Sequence, residues 1–368
     1  MPTLLLYIFV AVIVIQLFYF LYFFRRFAYH KTSPKQEFSY PVSVIFFIKN
    51  QAGLLKKHLP LYLAQDYPDF EIVLINYDSY DESLDIIEGF EARDKRIKIV
   101  NVKNNEAFWG KKKYALTLGI KAASHEHLIF TEIECQPVSD NWIRELSSGF
   151  SEVRTIVIGY TAYEKIKKSF LNALVRFENL TTFSQRFSYQ ICNIPISGNG
   201  KNLAYHKKEF FRNNGFIDHI NIRNGEDQLF INQAADKKNT SFVYSKESFT
   251  ISEAVKLFDE WIDNKKAEYA LIKKYKTTHK ALIHIFYLSQ LLLYTLIIPL
   301  LILKVNTPVV IGLFLLRWIV AYGIYIPITK KFGETSLLWL FPLYEIFLIF
   351  FQFLIFISNI ISKPNNWR

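Results

Sequence analysis

FEIVLINYDSYDESLDIIEGFEARDKRIKIVNV, residues 70–102, carries the pattern that decides the fold. FEIVLINY (70–77) reads as a strand, SLDIIEGFEA (83–92) as a helix and RIKIVNV (96–102) as a second strand. Working outward, VSVIFFI (42–48) is a buried strand, and LLKKHLPLYLAQ (54–65) is an amphipathic helix leading on from it. KKYALTLGIKAA (112–123) is a helix and HLIFTE (127–132) a further strand. Strands and helices alternating at this spacing predict an α/β fold, a mostly parallel sheet flanked by helices. Ligands of such sheets sit at the carboxyl ends of the strands. That directs attention to Asn76–Asp81 and Thr131–Pro137. G-x-x-x-x-G-K-[ST] and G-x-G-x-x-G are both absent, which argues against a P-loop enzyme or a dinucleotide dehydrogenase.

The 368 residues are 51% hydrophobic with a net charge of +11. This is too apolar for a disordered chain, and the positive balance favours anionic partners such as acidic lipid or nucleotide phosphates. LLLYIFVAVIVIQLFYFLYFF (4–24) has no charge and is long enough to span a bilayer. It lacks the basic start and small-residue cleavage site of a signal peptide. Arg25, Arg26, Lys31 and Lys35 follow it, which predicts that the next domain faces the cytoplasm. Stretches 283–303, 308–328 and 336–357 are three more candidate spans. Arg317 and Glu345 lie inside them, either as a structural ion pair or as groups that grip a headgroup or guide a polymer. The two cysteines, Cys135 and Cys192, imply no disulfide framework.

Three motifs in the middle of the chain could carry chemistry, and each has a plain structural alternative. Glu132 and Glu134, one residue apart after a strand, could hold a hard divalent cation, or be a surface pair of acids. Glu226 and Asp227 open a helix, so Asp227 could be a general base or an N-cap. Lys111, Lys112 and Lys113 follow Gly110 at a helix start, where the macrodipole disfavours cations unless an anion also binds. They form either a diphosphate contact or a solvated basic patch.

Taken in order, these stretches resemble family 2 glycosyltransferases of the GT-A fold. The carriers are Val42–Asn50, Ala64-Gln65-Asp66-Tyr67-Pro68, Ser79 and Asp81 in NYDSYDES (76–83), and Gly110–Leu116. TEIECQPVSDNWI (131–143), Gly198–Tyr205 and Glu226-Asp227 continue the likeness. The chain departs from the family pattern at Asn76-Tyr77, where an Asp pair is expected, and at the E-x-E, where D-x-D is expected. It also has Asn264-Lys265-Lys266-Ala267-Glu268 in place of Q-x-x-R-W.

The resemblance implies a GT-A glycosyltransferase domain over 36–276, an N-terminal transmembrane anchor over 1–24 and a C-terminal membrane region over 281–362. It implies an inverting enzyme that moves one sugar from a nucleoside diphosphate sugar to a lipid-linked or surface-glycan acceptor. Asp227 would be the catalytic base, with Glu226 beside it. Asn76, Asp81, Lys112 and Glu132 would bind the nucleotide-sugar. Glu134, with Glu132, would hold Mg²⁺ or Mn²⁺. Asn202 and Trp261 would lie on the acceptor side, and Lys265 or Lys266 would steady the leaving diphosphate. Expected partners are the donor, the acceptor and membrane lipid, without nucleic acid, at a cell inner membrane. The rival is a catalytically degenerate membrane protein that binds nucleotide-sugar or scaffolds glycan export.

Overall fold

The computed structural model of the chain describes residues 2–31, 39–103 and 111–361. Lys35 and Gly110 lie outside the described residues. The chain divides into two compact units, one containing Ser33–Lys165 and Pro195–Ala254, the other Met1–Thr32, Ile166–Ile194 and Val255–Asn365.

The first of these is the α/β unit. Its strands are β1 (Val42–Ile48), β2 (Phe70–Tyr77), β3 (Ile97–Val102), β4 (His127–Phe130) and β5 (Cys135–Pro137). They continue as β6 (Ile156–Ile158), β7 (Thr161–Tyr163), β8 (Leu203–His206), β9 (Thr240–Phe242) and β10 (Thr250–Ser252). A seven-stranded sheet runs β3-β2-β1-β4-β8-β6-β9, and a small sheet runs β5-β10-β7. β1 pairs parallel with β2 and β4, and β2 pairs parallel with β3. β8 is antiparallel to both β4 and β6. The central strands are buried along nearly their whole length, as expected where helices cover both faces of a parallel sheet. Gly119 lets the helix Lys111–Ala122 lie close on β2, since a Cβ there would come within 2.2 Å of Ile75 Cδ1.

The loops after β1 and β2 are sewn together. Asn50 takes φ +53°, and its backbone N–H donates to Ser79 Oγ at 3.1 Å. Its side-chain oxygen accepts from the Tyr80 N–H at 2.8 Å. Asp81 accepts from the N–H of Ala52, at the start of a helix, and from the N–H of Ser83, each at 3.0 Å.

The second unit is helical. Among the described residues four helices are long and apolar enough to cross a membrane: Thr3–Ala28, Thr277–Ile302, Thr307–Phe332 and Thr335–Ser358. The helices Phe170–Ile191 and Phe258–Ile272, which the sequence reading put inside 36–276, group with them. Arg317 and Glu345 meet as a two-pronged pair, with Nη2–Oε1 at 2.5 Å and Nη1–Oε2 at 2.9 Å. Gln290 and Tyr294 also donate to Glu345, and Gln16 Oε1 accepts from Arg317. The buried charges are thus paired and hydrogen-bonded, the condition under which such charges are tolerated.

Candidate active site

A cleft of about 480 Å³ opens in the α/β unit and is lined by Phe47, Lys112, Glu132, Gly200, Glu226 and Asp227, among others. The lining polar residues are delivered by several separate stretches of the chain. Glu132 follows β4, in a turn closed by the Cys135 N–H donating to the Glu132 carbonyl at 2.9 Å. Lys112 lies in the first turn of Lys111–Ala122. Asp227 is the N-cap of Gln228–Ala234, and Gly200 precedes β8.

Lys112 ties the cleft together. Its ammonium lies 2.6 Å from Glu226 Oε1 and 3.3 Å from Glu132 Oε1. Burial works against that charge, but Glu226, Glu132 and Asp227 outweigh it and hold Lys112 above the usual lysine range. Glu132 in turn sits low despite its burial, because Lys112 and Lys201 favour the anion. Glu226 Oε2 is buried and has no hydrogen-bond partner among the described residues.

Asp227 Oδ2 accepts from the Gly200 N–H and Oδ1 from the Gln228 N–H, each at 2.7 Å. It is therefore a cap, and it also faces the cleft. Burial and the neighbouring Glu226 push its carboxyl above the ordinary aspartate range, against the pull of those two N–H groups and Lys112.

The three adjacent lysines separate. Lys111 is exposed and Lys112 faces the cleft. Lys113 is buried, donating to the carbonyls of His219 (2.6 Å) and Ile222 (2.5 Å). Burial lowers its pKa to about 8. It anchors the loop that leads to Glu226.

Other residues singled out in the sequence are engaged elsewhere. Asn202 is fully buried, donating to the Tyr160 and Ser248 carbonyls at 2.8 Å and accepting from Trp142 Nε1 at 3.2 Å. Its amide is consumed by the framework, which leaves nothing to offer an acceptor. Asn76 is buried too, its Nδ2 donating to Asn101 Oδ1 at 2.9 Å, while its own Oδ1 has no hydrogen-bond partner among the described residues. Trp261, Lys265 and Lys266 belong to the helical unit. There Trp261 Nε1 donates to Glu178 at 2.7 Å, Lys265 pairs with Glu178 and Glu268, and Lys266 lies 3.9 Å from Asp263.

The E-x-E holds an unforeseen partner. Lys201, in the loop before β8, is ion-paired with Glu134, and its Nζ lies 3.9 Å from Glu132 Oε2. Ser252 Oγ accepts from the same ammonium at 2.8 Å.

Residues 43–216 match the family model described as glycosyl transferase family 2. This segment is a family 2 glycosyltransferase domain. The match ends before Glu226 and Asp227. A solved structure similar to the whole chain is a mannosyltransferase, PcManGT from Pyrobaculum calidifontis, described in complex with GDP-Man and Mn²⁺. At 15% identity it covers 99% of each chain with a TM-score of 0.62, a likeness of fold. Residues 1–349 of S. aureus TarS, in complex with UDP, give a TM-score of 0.42 at 16% identity, covering 67% of this chain and 70% of that one. No curated protein matches the chain in sequence.

The presence of Mn²⁺ in that mannosyltransferase raises the question whether this glycosyltransferase domain fits such an ion. Divalent cations need oxygen ligands free to coordinate. Here Glu134 carries Lys201, and Glu132 stands between Lys112 and Lys201. Among the described residues no three His, Cys, Asp or Glu side chains are grouped to hold a metal. As arranged, the E-x-E does not fit a resident divalent cation.

Proposed function

We propose that the chain transfers one sugar, with inversion, from a nucleoside diphosphate sugar to an acceptor hydroxyl. The observation that carries this reading is the convergence of Asp227, Glu226, Lys112 and Glu132 on one cleft of a glycosyltransferase fold. The acceptor oxygen attacks the anomeric carbon as the bond to the diphosphate breaks. Asp227 takes the hydroxyl proton; its raised affinity for protons suits a general base. Lys112, pre-set by Glu132 and Glu226, faces the negative charge that develops on the leaving diphosphate. Glu226 fixes Lys112 and raises the basicity of Asp227 by its own charge. Asp81 shapes the loops beside the nucleotide rather than contacting it, because its oxygens already cap Ala52 and Ser83.

On this reading the four apolar helices anchor the enzyme in a cell inner membrane, with the domain in the cytoplasm where nucleotide-sugars are made. Lys and Arg after the first span support that orientation. The acceptor is then lipid-linked or a growing surface glycan. The test is turnover of GDP- and UDP-sugars by the purified full chain, against the Asp227→Asn protein. Turnover by the parent and its loss in the variant are expected. Inactivity of the parent with every donor, despite tight donor binding, would favour a binding or scaffold protein.

A further inference from the structure

Lys201 is held more tightly than a surface lysine needs to be. Its carbonyl accepts from Thr131 Oγ1 at 3.0 Å and from Thr250 Oγ1 at 3.1 Å. Its N–H donates to Asn199 Oδ1 at 3.0 Å. Both threonines are buried. The backbone is thereby clamped between the end of β4 and β10, and the side chain reaches over the Glu132–Cys135 turn. There the ammonium donates to Glu134 and to Ser252, while Ser252 Oγ donates to Glu134 at 3.3 Å. The Tyr163 ring lies 5.6 Å from the ammonium. An ammonium has three N–H donors. Two are spent on Glu134 and Ser252, and at 3.9 Å Glu132 is too far to take the third.

Charge balance gives this arrangement a meaning. A divalent ion on two carboxylates leaves that pair neutral. Lys201 on Glu134, and Lys112 shared between Glu132 and Glu226, supply positive charge at these carboxylates from the chain's own side chains.

We propose that Lys201 takes the place of a divalent metal on the E-x-E carboxylates, so that the donor diphosphate is met by the ammonium groups of Lys112 and Lys201. The inference rests on the glycosyltransferase reading and sharpens it, since it makes donor binding independent of metal. It also accounts for Glu134, which does not line the cleft and holds Lys201 in position.

The experiment is calorimetric titration of the purified full chain with GDP and with UDP, in chelator and in Mn²⁺. Whichever nucleotide binds should do so equally well in both buffers. Lys201→Met should weaken binding in chelator about 10- to 100-fold, the scale of a lost charge-assisted contact. Lys201→Arg should retain most of it. Lys201→Ala uncovers Glu134 and removes one of the two ammonium groups beside Glu132, so its nucleotide affinity should become dependent on Mn²⁺ and recover when Mn²⁺ is added. A lysine that merely braced the loop could not confer that dependence. Wild-type binding that needs Mn²⁺ would overturn the proposal and leave the donor reading intact. Binding of neither nucleotide, with or without Mn²⁺, would bring down the donor reading and this proposal together. If Lys201→Met does not fold, the wild type in the two buffers and Lys201→Arg still decide the matter.

Discussion

Asp227 accepts two backbone N–H groups, one on each oxygen. Asparagine has one acceptor oxygen, so its amide would face the second N–H as a donor. Asp227→Asn should therefore lower stability by about 1–3 kcal/mol, and should lower turnover about 10²- to 10⁴-fold if the residue is the base. Thermal unfolding measures the first and steady-state kinetics the second; a stability loss at full turnover would leave Asp227 a cap and no more. pH supplies a separate check. The Asp227 carboxyl titrates above the ordinary 3.8 because of burial and Glu226. A base must be ionised, so kcat/KM should fall as pH drops through that raised value. Linkage runs the other way for stability. The folded protein binds this proton more tightly than the unfolded chain, so ionising Asp227 costs stability as pH rises through the window. The gap in Tm between wild type and Asp227→Asn should narrow as pH rises. An acid limb at or below the ordinary carboxylate range would argue against the assignment. The motif GEDQL made Asp227 visible in the sequence, but Lys201 was not. It sits in GNGKN, and nothing local says that its side chain crosses to a turn some 67 positions earlier in the chain.

At the scale of elements, runs such as VSVIFFI and FEIVLINY were legible as strands because a buried parallel strand is apolar on both faces. The short strands of the small sheet, β5, β7 and β10, have three residues each. They are held by long-range pairing that no periodicity within three residues can announce. The charges within the apolar helices are a case where composition posed a question and geometry answered it. Arg317→Ala and Glu345→Ala should each destabilise by about 3–5 kcal/mol, because each leaves a buried charge alone. The double variant should cost less than the sum, by about 0.5–3 kcal/mol. Chemical denaturation in detergent measures all three. Strict additivity would mean that the pair seen here does not contribute as a unit.

For the whole molecule, the sequence pointed to a catalytic domain flanked by membrane segments, while the fold draws the boundary elsewhere. Phe170–Ile191 and Phe258–Ile272 interrupt or follow the α/β unit in sequence and yet pack with the apolar helices. The sequence reading placed them inside 36–276 by bounds alone; in the helical unit Arg176 of Phe170–Ile191 is paired with Glu334. The proposed orientation makes a direct prediction. A cysteine placed at the exposed Glu126, in a Cys192→Ser background, should react with a membrane-impermeant maleimide after the cells are permeabilised and not before. Cys135 is buried and should stay silent. Labelling of intact cells would reverse the orientation.

The Arg317–Glu345 pair also constrains how the chain is made. Arg317 leaves the ribosome 28 residues ahead of its carboxylate partner. A lone arginine at the centre of an inserting helix costs about 2.5–3.5 kcal/mol on translocon scales. Gln16, already synthesised in the first span, accepts from Arg317 at 3.2 Å in the folded chain, and its carbonyl oxygen would be available to Arg317 in the interval. The last two spans would then partition into lipid as a hairpin whose charge is neutralised only on completion. A polypeptide truncated between them should be held at the translocon and degraded, whatever the state of its α/β unit.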